Sequence, residues 1–234
     1  MTGGTLYGVG LGPGDPELLT IKAARLIASA KVVAFPAPVG GISFARSIAA
    51  HLIPATAQEI VIQVPMTLER APAQTAYDQG ADAIRDALRN GCDVITLCEG
   101  DPLFYGSFMY LLARLAPDFR CEIVPGVSSL AAAAAALRLP LAARNDALAV
   151  VAAPSTNVEL ARRISVSDTV AILKLGRHLP RIRSLIESLG LTQYAHYVGH
   201  ATLPDQIAVP LKDAPETAPY FSMVLIVKGA DPWL

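Results

Sequence analysis

The sequence predicts an α/β protein built as two α/β/α domains, and three observations carry that expectation. Short apolar runs alternate with amphipathic stretches along the whole chain. Turns rich in Gly and Pro close several of the runs, as in Gly8–Asp15 and Gly100–Gly106. The length, 234 residues, allows one large core or two small ones.

Taken in order, the first strand is Leu6–Leu11. A helix starts at Asp15-Pro16-Glu17, where an N-cap, a proline and a first-turn acid coincide, and runs to about Ala28. Strand Lys31–Phe35, helix Phe44–Leu52 and strand Glu59–Val64 follow. The segment Ala73–Asn90 has helical spacing through Ala76, Ala83, Ile84 and Leu88, and Asn90-Gly91 stops it. Next come strand Cys92–Cys98, helix Gly106–Leu115, strand Cys121–Val124 and helix Val127–Leu137. The polar turn Arg144-Asn145-Asp146 marks a boundary between domains at residues 1–143 and 144–234. Beyond it the pattern predicts strand Leu148–Ala152, helix Val158–Ile164, strand Thr169–Leu175 and helix His178–Leu189. Strands Ala195–Gly199, Gln206–Pro210 and Phe221–Val227 end the chain's pattern, and no repeat relates its halves.

Hydrophobic residues make up 53% of the chain and charged residues 17%, with a formal net charge of −1. Such a balance offers no basic field for nucleic acid or an anionic membrane. Cys92, Cys98 and Cys121 are odd in number and lack metal-ligand spacing, which predicts free thiols, no metal site and a reducing, cytoplasmic setting. Met1–Thr5 has neither the basic region nor the apolar block of a secretory signal. The Ala-rich run Leu130–Leu137 is too short to span a bilayer.

Four turns are candidates for chemistry. Cys98-Glu99-Gly100-Asp101-Pro102-Leu103-Phe104-Tyr105-Gly106-Ser107 follows an apolar strand and joins a carboxylate, backbone amides and two aromatics. Asp101 there is either a helix cap or a ligand contact. Gly8-Val9-Gly10-Leu11-Gly12-Pro13-Gly14-Asp15 lacks the third glycine of a dinucleotide fingerprint and contains a proline, so it excludes that assignment. Its glycines make a tight turn or let the backbone approach a flat ligand. In Val124-Pro125-Gly126-Val127-Ser128-Ser129 the serines are caps or ligand donors. Lys174 and Arg177, with Arg181 and Arg183 nearby, are a solvated rim or a carboxylate trap.

Together these turns resemble the tetrapyrrole methyltransferases, over almost the whole chain. The family-wide features are the glycine-rich start with Asp15-Pro16-Glu17-Leu18-Leu19-Thr20-Ile21-Lys22-Ala23, then Gly100-Asp101-Pro102, then Pro125–Ser129. Three more features are specific: Gly100–Phe108, Lys174-Leu175-Gly176-Arg177 and Tyr220-Phe221-Ser222-Met223. The resemblance implies transfer of methyl from S-adenosylmethionine to the C(20) meso carbon of precorrin-2, with S-adenosylhomocysteine as the other product. It also implies a homodimer and a cofactor folded into a cleft between two domains. Pro13, Gly100, Asp101, Phe104, Ser128, Ser129, Leu175 and Ala201 match cofactor-contacting positions. Uroporphyrinogen-methylating relatives carry a second glycine at Glu99 and a Met at Leu175, which implies a changed substrate-facing wall here. Lys22, Arg46, Lys174, Arg177 and Arg181 are the candidates for substrate carboxylates. Glu99, Tyr105, His200 and Tyr220 are the candidates for taking up a proton. The competing readings are cobalt-precorrin-2, another precorrin or uroporphyrinogen position, a tetrapyrrole carrier and a dinucleotide oxidoreductase.

Overall fold

The computed structural model describes residues 3–65 and 69–229. Met1 and Thr2 of the amino-terminal stretch read above lie outside them. The chain divides into two compact units, residues 1–128 and 129–234.

The first unit is a doubly wound sheet. Strands β1 (Leu6–Gly10), β2 (Val32–Pro38), β3 (Gln58–Val64), β4 (Val94–Cys98) and β5 (Cys121–Val124) are all parallel, in the order β3-β2-β4-β1-β5. Four helices connect them: α1 (Ile21–Ala28), α2 (Phe44–Ala49), α3 (Arg70–Arg89) and α4 (Phe108–Leu115). Alternation along the strands sorts side chains onto two faces. Val9, Leu11, Val33, Phe35, Ile95 and Leu97 pack on Ala23 and Ile27 of α1 and Ala45 and Ile48 of α2. Leu6, Val32, Ile60, Ile62 and Val94 pack on Ile84 and Leu88 of α3 and Phe108, Leu111 and Leu115 of α4. The chain therefore leaves β1 over one face and β4 over the other. These strands are neighbours, so the switch point of the sheet lies at their carboxyl ends, where ligands bind in folds of this kind.

Two local features position that end. Gly8 has no side chain because the Phe108 ring occupies the space: a Cβ there would lie 2.6 Å from Cζ. The expected single helix from Asp15 is instead a 3-10 turn, Pro16–Leu18, followed by α1. Asp15 accepts the Glu17 N–H (2.8 Å) as predicted, but Leu19 is extended and Thr20 caps a second start, its Oγ1 accepting from Ala23 N (3.1 Å). Two caps in close succession make two short elements of one predicted helix.

The second unit is a mixed sheet, β6 (Leu148–Ala152), β7 (Thr169–Leu173), β8 (Ala195–Gly199), β9 (Ile207–Pro210) and β10 (Ser222–Val227), in the order β6-β7-β10-β8-β9. Helices α6 (Asn157–Val166) and α7 (Leu179–Ser188) cover one face through Leu160, Ile164, Leu179, Ile182 and Ile186. Helix α5 (Ser129–Leu137) covers the other, with Leu130 and Ala133 against Leu173, Val198, Met223 and Leu225. Because α5 closes this second core, it belongs to the second unit, and the division falls after Ser128 rather than at residue 143. The turn Arg144–Asp146 lies inside the second unit and leads into β6. No helix among the described residues is long and apolar enough to cross a membrane.

Candidate functional site

At the switch point of the first unit three turns meet, backbone to backbone. Gly12 and Gly100 form an isolated antiparallel bridge, with Gly100 N donating to Gly12 O (2.7 Å) and Gly12 N to Gly100 O (3.2 Å). Gly126 approaches both. A Cβ on Gly126 would lie 2.9 Å from two backbone carbons of Gly10 and closer still to the Gly100 carbonyl oxygen. Gly10 is blocked in the same way by Gly126 N, at 2.5 Å. Gly100 itself sits at φ +62 with open space where a Cβ would stand, while its N–H and C=O are both taken by Gly12.

Asp101 staples this junction. Its Oδ1 accepts from Leu103 N (2.9 Å) and its Oδ2 from Gly126 N (3.1 Å). It caps no helix, since α4 begins only at Phe108. The carboxylate fixes the turn Pro102–Gly106, whose tip exposes Leu103, Phe104 and Tyr105. Phe104 and Tyr105 meet edge to face at 5.3 Å, and Tyr105 holds a left-handed φ of +58. Pro13 is half-buried beside Gly12. Ser128 ends the first unit and Ser129 begins α5 of the second.

Glu99 is half-buried at the end of β4, and burial raises its carboxyl above the usual range. Its own N–H and that of Ala45 partly offset the rise. Burial also pushes the Cys98 thiol well up, which keeps it protonated and non-nucleophilic. Cys92, Cys98 and Cys121 are free thiols.

In the second unit the carboxyl ends of β6, β7 and β8 and the amino ends of β9 and β10 share one rim, from the pairing directions. Lys174 follows β7 at φ +59, and its Nζ lies 5.9 Å from the Tyr220 ring centroid. Tyr220 meets Phe221 edge to face at 5.4 Å, just before β10. His200 follows β8 at φ +49, and half-buried Ala201 follows it. Leu175 departs from expectation: the whole residue is buried in the core with Leu179 and Ile182, and its N–H and C=O are engaged by Ser222 and His178, so it offers no surface to a ligand.

Three of the five cations expected to collect carboxylates are engaged elsewhere. Lys22 pairs with Glu122, and Arg46 forms a fork on Glu59 (2.7, 2.9 and 3.1 Å). Both acids are the second residue of their strand, at the amino ends of the sheet and away from the switch point. The Arg46–Glu59 pair holds the Glu59 carboxyl low. Arg181 donates to Asn157 Oδ1 and to the Ala153 carbonyl, tying α7 to the β6–α6 turn. Lys174 remains on the rim, and exposed Arg177 has no hydrogen-bond or ion-pair partner among the described residues.

Sequence reasoning missed Gly10 and Gly126 as close-approach positions, although both stand in turns it singled out. It also missed Asp205, whose Oδ2 lies 2.6 Å from His200 Nδ1. No short-range motif announces a pair five residues apart across a turn.

The family model for tetrapyrrole (corrin/porphyrin) methylases matches residues 5–215. The chain belongs to that family. Among curated tetrapyrrole methylase relatives, the cobalamin biosynthesis protein CobIJ of Mycobacterium tuberculosis is 42% identical over 236 residues, covering 97% of this chain but 46% of that protein. The chain thus spans about half the length of that relative. The precorrin-2 C(20)-methyltransferase of a Sinorhizobium species is 36% identical over 95% of both chains. The crystal structure of uroporphyrin-III C-methyl transferase from Thermus thermophilus, complexed with S-adenyl homocysteine, superposes with a TM-score of 0.68. Its sequence identity is 25%, with 95% of this chain and 97% of that chain covered.

Proposed function

We propose that this tetrapyrrole methylase transfers a methyl group from S-adenosylmethionine to the C(20) meso carbon of precorrin-2, giving precorrin-3A in cobalamin synthesis. The observation that carries the reading is the three-turn junction of Gly10–Gly12, Gly100–Asp101 and Gly126 at the switch point of the first sheet. Its residues fit an adenosyl cofactor. Gly100 leaves open space where a side chain would stand, and Phe104 is 36% exposed. Asp101 holds the turn that bears it. The family resemblance and the 36% identity to the Sinorhizobium enzyme support the choice of substrate and position.

Bound S-adenosylmethionine supplies an electrophilic methyl on a sulfonium, whose carbon–sulfur electron pair departs with sulfur. In the first unit Pro13, Gly100, Asp101, Phe104 and Ser128 would hold it. The protein's main task is alignment of that methyl with a nucleophilic ring carbon, which supplies roughly 7–11 kcal/mol of the barrier when the geometry is fixed in advance. Arg177 and Lys174 bind substrate carboxylates. The reading carries with it a homodimer in the cytoplasm, on the family resemblance and the free thiols, and sedimentation velocity checks the dimer.

Arg177→Ala is therefore expected to raise the KM for the tetrapyrrole roughly fivefold, as for one exposed charge contact, with S-adenosylhomocysteine affinity unchanged by calorimetry. Equal losses in both would remove Arg177 from the substrate contacts.

The defining experiment is anaerobic incubation with precorrin-2 and S-adenosylmethionine carrying a carbon-13 methyl, read by mass spectrometry and carbon NMR. One added methyl on the meso carbon between rings A and D is the expected result. Transfer only to cobalt-precorrin-2, or to another ring carbon, would replace the substrate and keep the chemistry. No transfer to any of these rings would overturn the reading.

A further inference from the structure

The loop joining β2 to α2 in the first unit is apolar and faces solvent. Pro36–Phe44 contains no charged residue, and Val39 and Ile42 near its tip are 63% and 87% exposed. Large apolar residues scattered singly over a surface need no explanation. Two of them on one short, well-anchored loop at the ligand end of a sheet do. Gly41 N donates to Pro38 O (2.9 Å), closing a turn that uses the positive φ of Gly40, +69. Ser43 is buried, and its Oγ accepts from Arg46 N (3.2 Å) at the start of α2. Fully buried Ala45 donates its N–H to the Glu99 carboxyl, which ties α2 to the residue before Gly100. Register sets the height of the loop. Strand β2 pairs with β4 as far as Ala34 opposite Thr96, then continues beside β3 to Pro38. Pro38 lies four residues past Ala34 and Gly100 four past Thr96, so the loop and the Gly100 turn start level. The turn after β4 exposes Leu103, Phe104 and Tyr105. Two neighbouring strands of one sheet thus end in loops with exposed apolar side chains.

We infer that Val39 and Ile42 form an apolar wall for the ring face of the tetrapyrrole, and that Glu99 is the positioning residue that holds this wall beside the cofactor turn. This rests on the reading given under Proposed function and uses the first unit alone. A tetrapyrrole of this class carries its carboxylates on side chains around the rim and leaves the face of the macrocycle apolar. Cations serve the rim, whereas the face calls for uncharged surface that sheds water on contact. The uncharged β2–α2 loop meets that need, and its level with Gly100 sets the ring next to the turn that bears the methyl donor. Glu99 thereby spends its carboxyl on the Ala45 N–H and holds the loop, instead of taking up a proton.

The test uses Val39→Ser, Ile42→Ser and the double variant, none of which opens a cavity because both side chains face solvent. Each single change is expected to raise the KM for precorrin-2 about fivefold, and the double about 20-fold, as apolar contact area is lost. Affinity for S-adenosylhomocysteine, melting temperature and kcat should stay within about twofold or a degree or two of the original. Val61→Thr, at a 43% exposed position within β3, is the control and should leave the KM as it was. Anaerobic equilibrium dialysis of precorrin-2 without S-adenosylmethionine should give dissociation constants in the same order. Glu99→Ala should raise the KM about tenfold, and Glu99→Gln, which keeps an oxygen for the Ala45 N–H, should restore most of the loss. A double variant with unchanged KM and dissociation constant, in a chain that transfers methyl, overturns the wall and leaves the reading standing. A change of sedimentation without a change of KM overturns it too, since the loop would then be a contact between copies. Glu99→Gln that lowers kcat about 100-fold at constant KM would make Glu99 a proton acceptor and overturn its positioning role. If the unaltered chain transfers no methyl to any of the rings, the reading itself fails and takes the proposal with it.

Discussion

Gly126→Ala is expected to lower the melting temperature of the first unit by about 10 °C and to abolish S-adenosylhomocysteine binding. The physical reason is that the added methyl meets backbone, not a side chain that could rotate away. It would press on the Gly100 carbonyl oxygen and on two backbone carbons of Gly10 at 2.9 Å. Overpacking ordinarily costs about 1–3 kcal/mol. A clash shared by three crossing backbones belongs at or above the top of that range, about 3–5 kcal/mol. At about 2–4 °C per kcal/mol for a chain of this size, the shift follows. Gly100→Ala is the internal control. Its Cβ would meet nothing, and only the left-handed φ of +62 penalises it. That cost is about 1–2 kcal/mol. Calorimetric melting of the two variants should therefore separate them clearly. Equal stability of Gly126→Ala and the original chain would refute the close approach of the three turns.

Asp101→Ala should weaken S-adenosylhomocysteine binding by about tenfold to 100-fold and also destabilise the first unit by about 2 kcal/mol. Both losses have one origin. Removing the carboxylate leaves the N–H groups of Gly126 and Leu103 without their acceptor. An unsatisfied polar group costs about 1–3 kcal/mol when buried, and less here because the Leu103 side of the contact is exposed. The turn carrying Phe104 then loses its anchor. Phe104→Ala should weaken binding while leaving the melting temperature near the original, since its ring is 36% exposed. The comparison distinguishes a staple from a direct contact. If Asp101→Ala weakens binding with stability untouched, the carboxylate acts on the ligand itself and not through the turn.

Much of this architecture was legible in the sequence because it depends on local pattern. Alternating apolar runs located the strands β1–β10, and helical spacing located α1–α7, each within a few residues of the observed ends. The exception, the broken helix after Asp15, arose where a second cap, Thr20, outcompeted continuation. The domain boundary was misread for a different reason. Helix α5 shows uniform small apolar residues, and nothing local says which of two sheets will take them. Its contacts with Val198, Met223 and Leu225 decide that, and these residues lie far along the chain.

The candidate site divides in the same way. The turns that carry Pro13, Asp101 and Ser128 were recognisable as motifs, because a glycine, a carboxylate or a cap at a strand end has meaning within a few residues. What each residue does there was not. Lys22, Arg46 and Arg181 read as free cations until the folded chain supplied Glu122, Glu59 and Asn157 as partners. Leu175 read as a wall residue until the core enclosed it. Thus strand, helix and turn identity, and membership in a family, were determined by the sequence itself, through local periodicity and turn chemistry. Which cations are engaged, why Gly10 and Gly126 admit no side chain, and how Asp101 and Asp205 are used were decided only by tertiary structure. These depend on distances between segments such as Gly10, Gly100 and Gly126, which the chain brings together only when β1, β4 and β5 lie side by side.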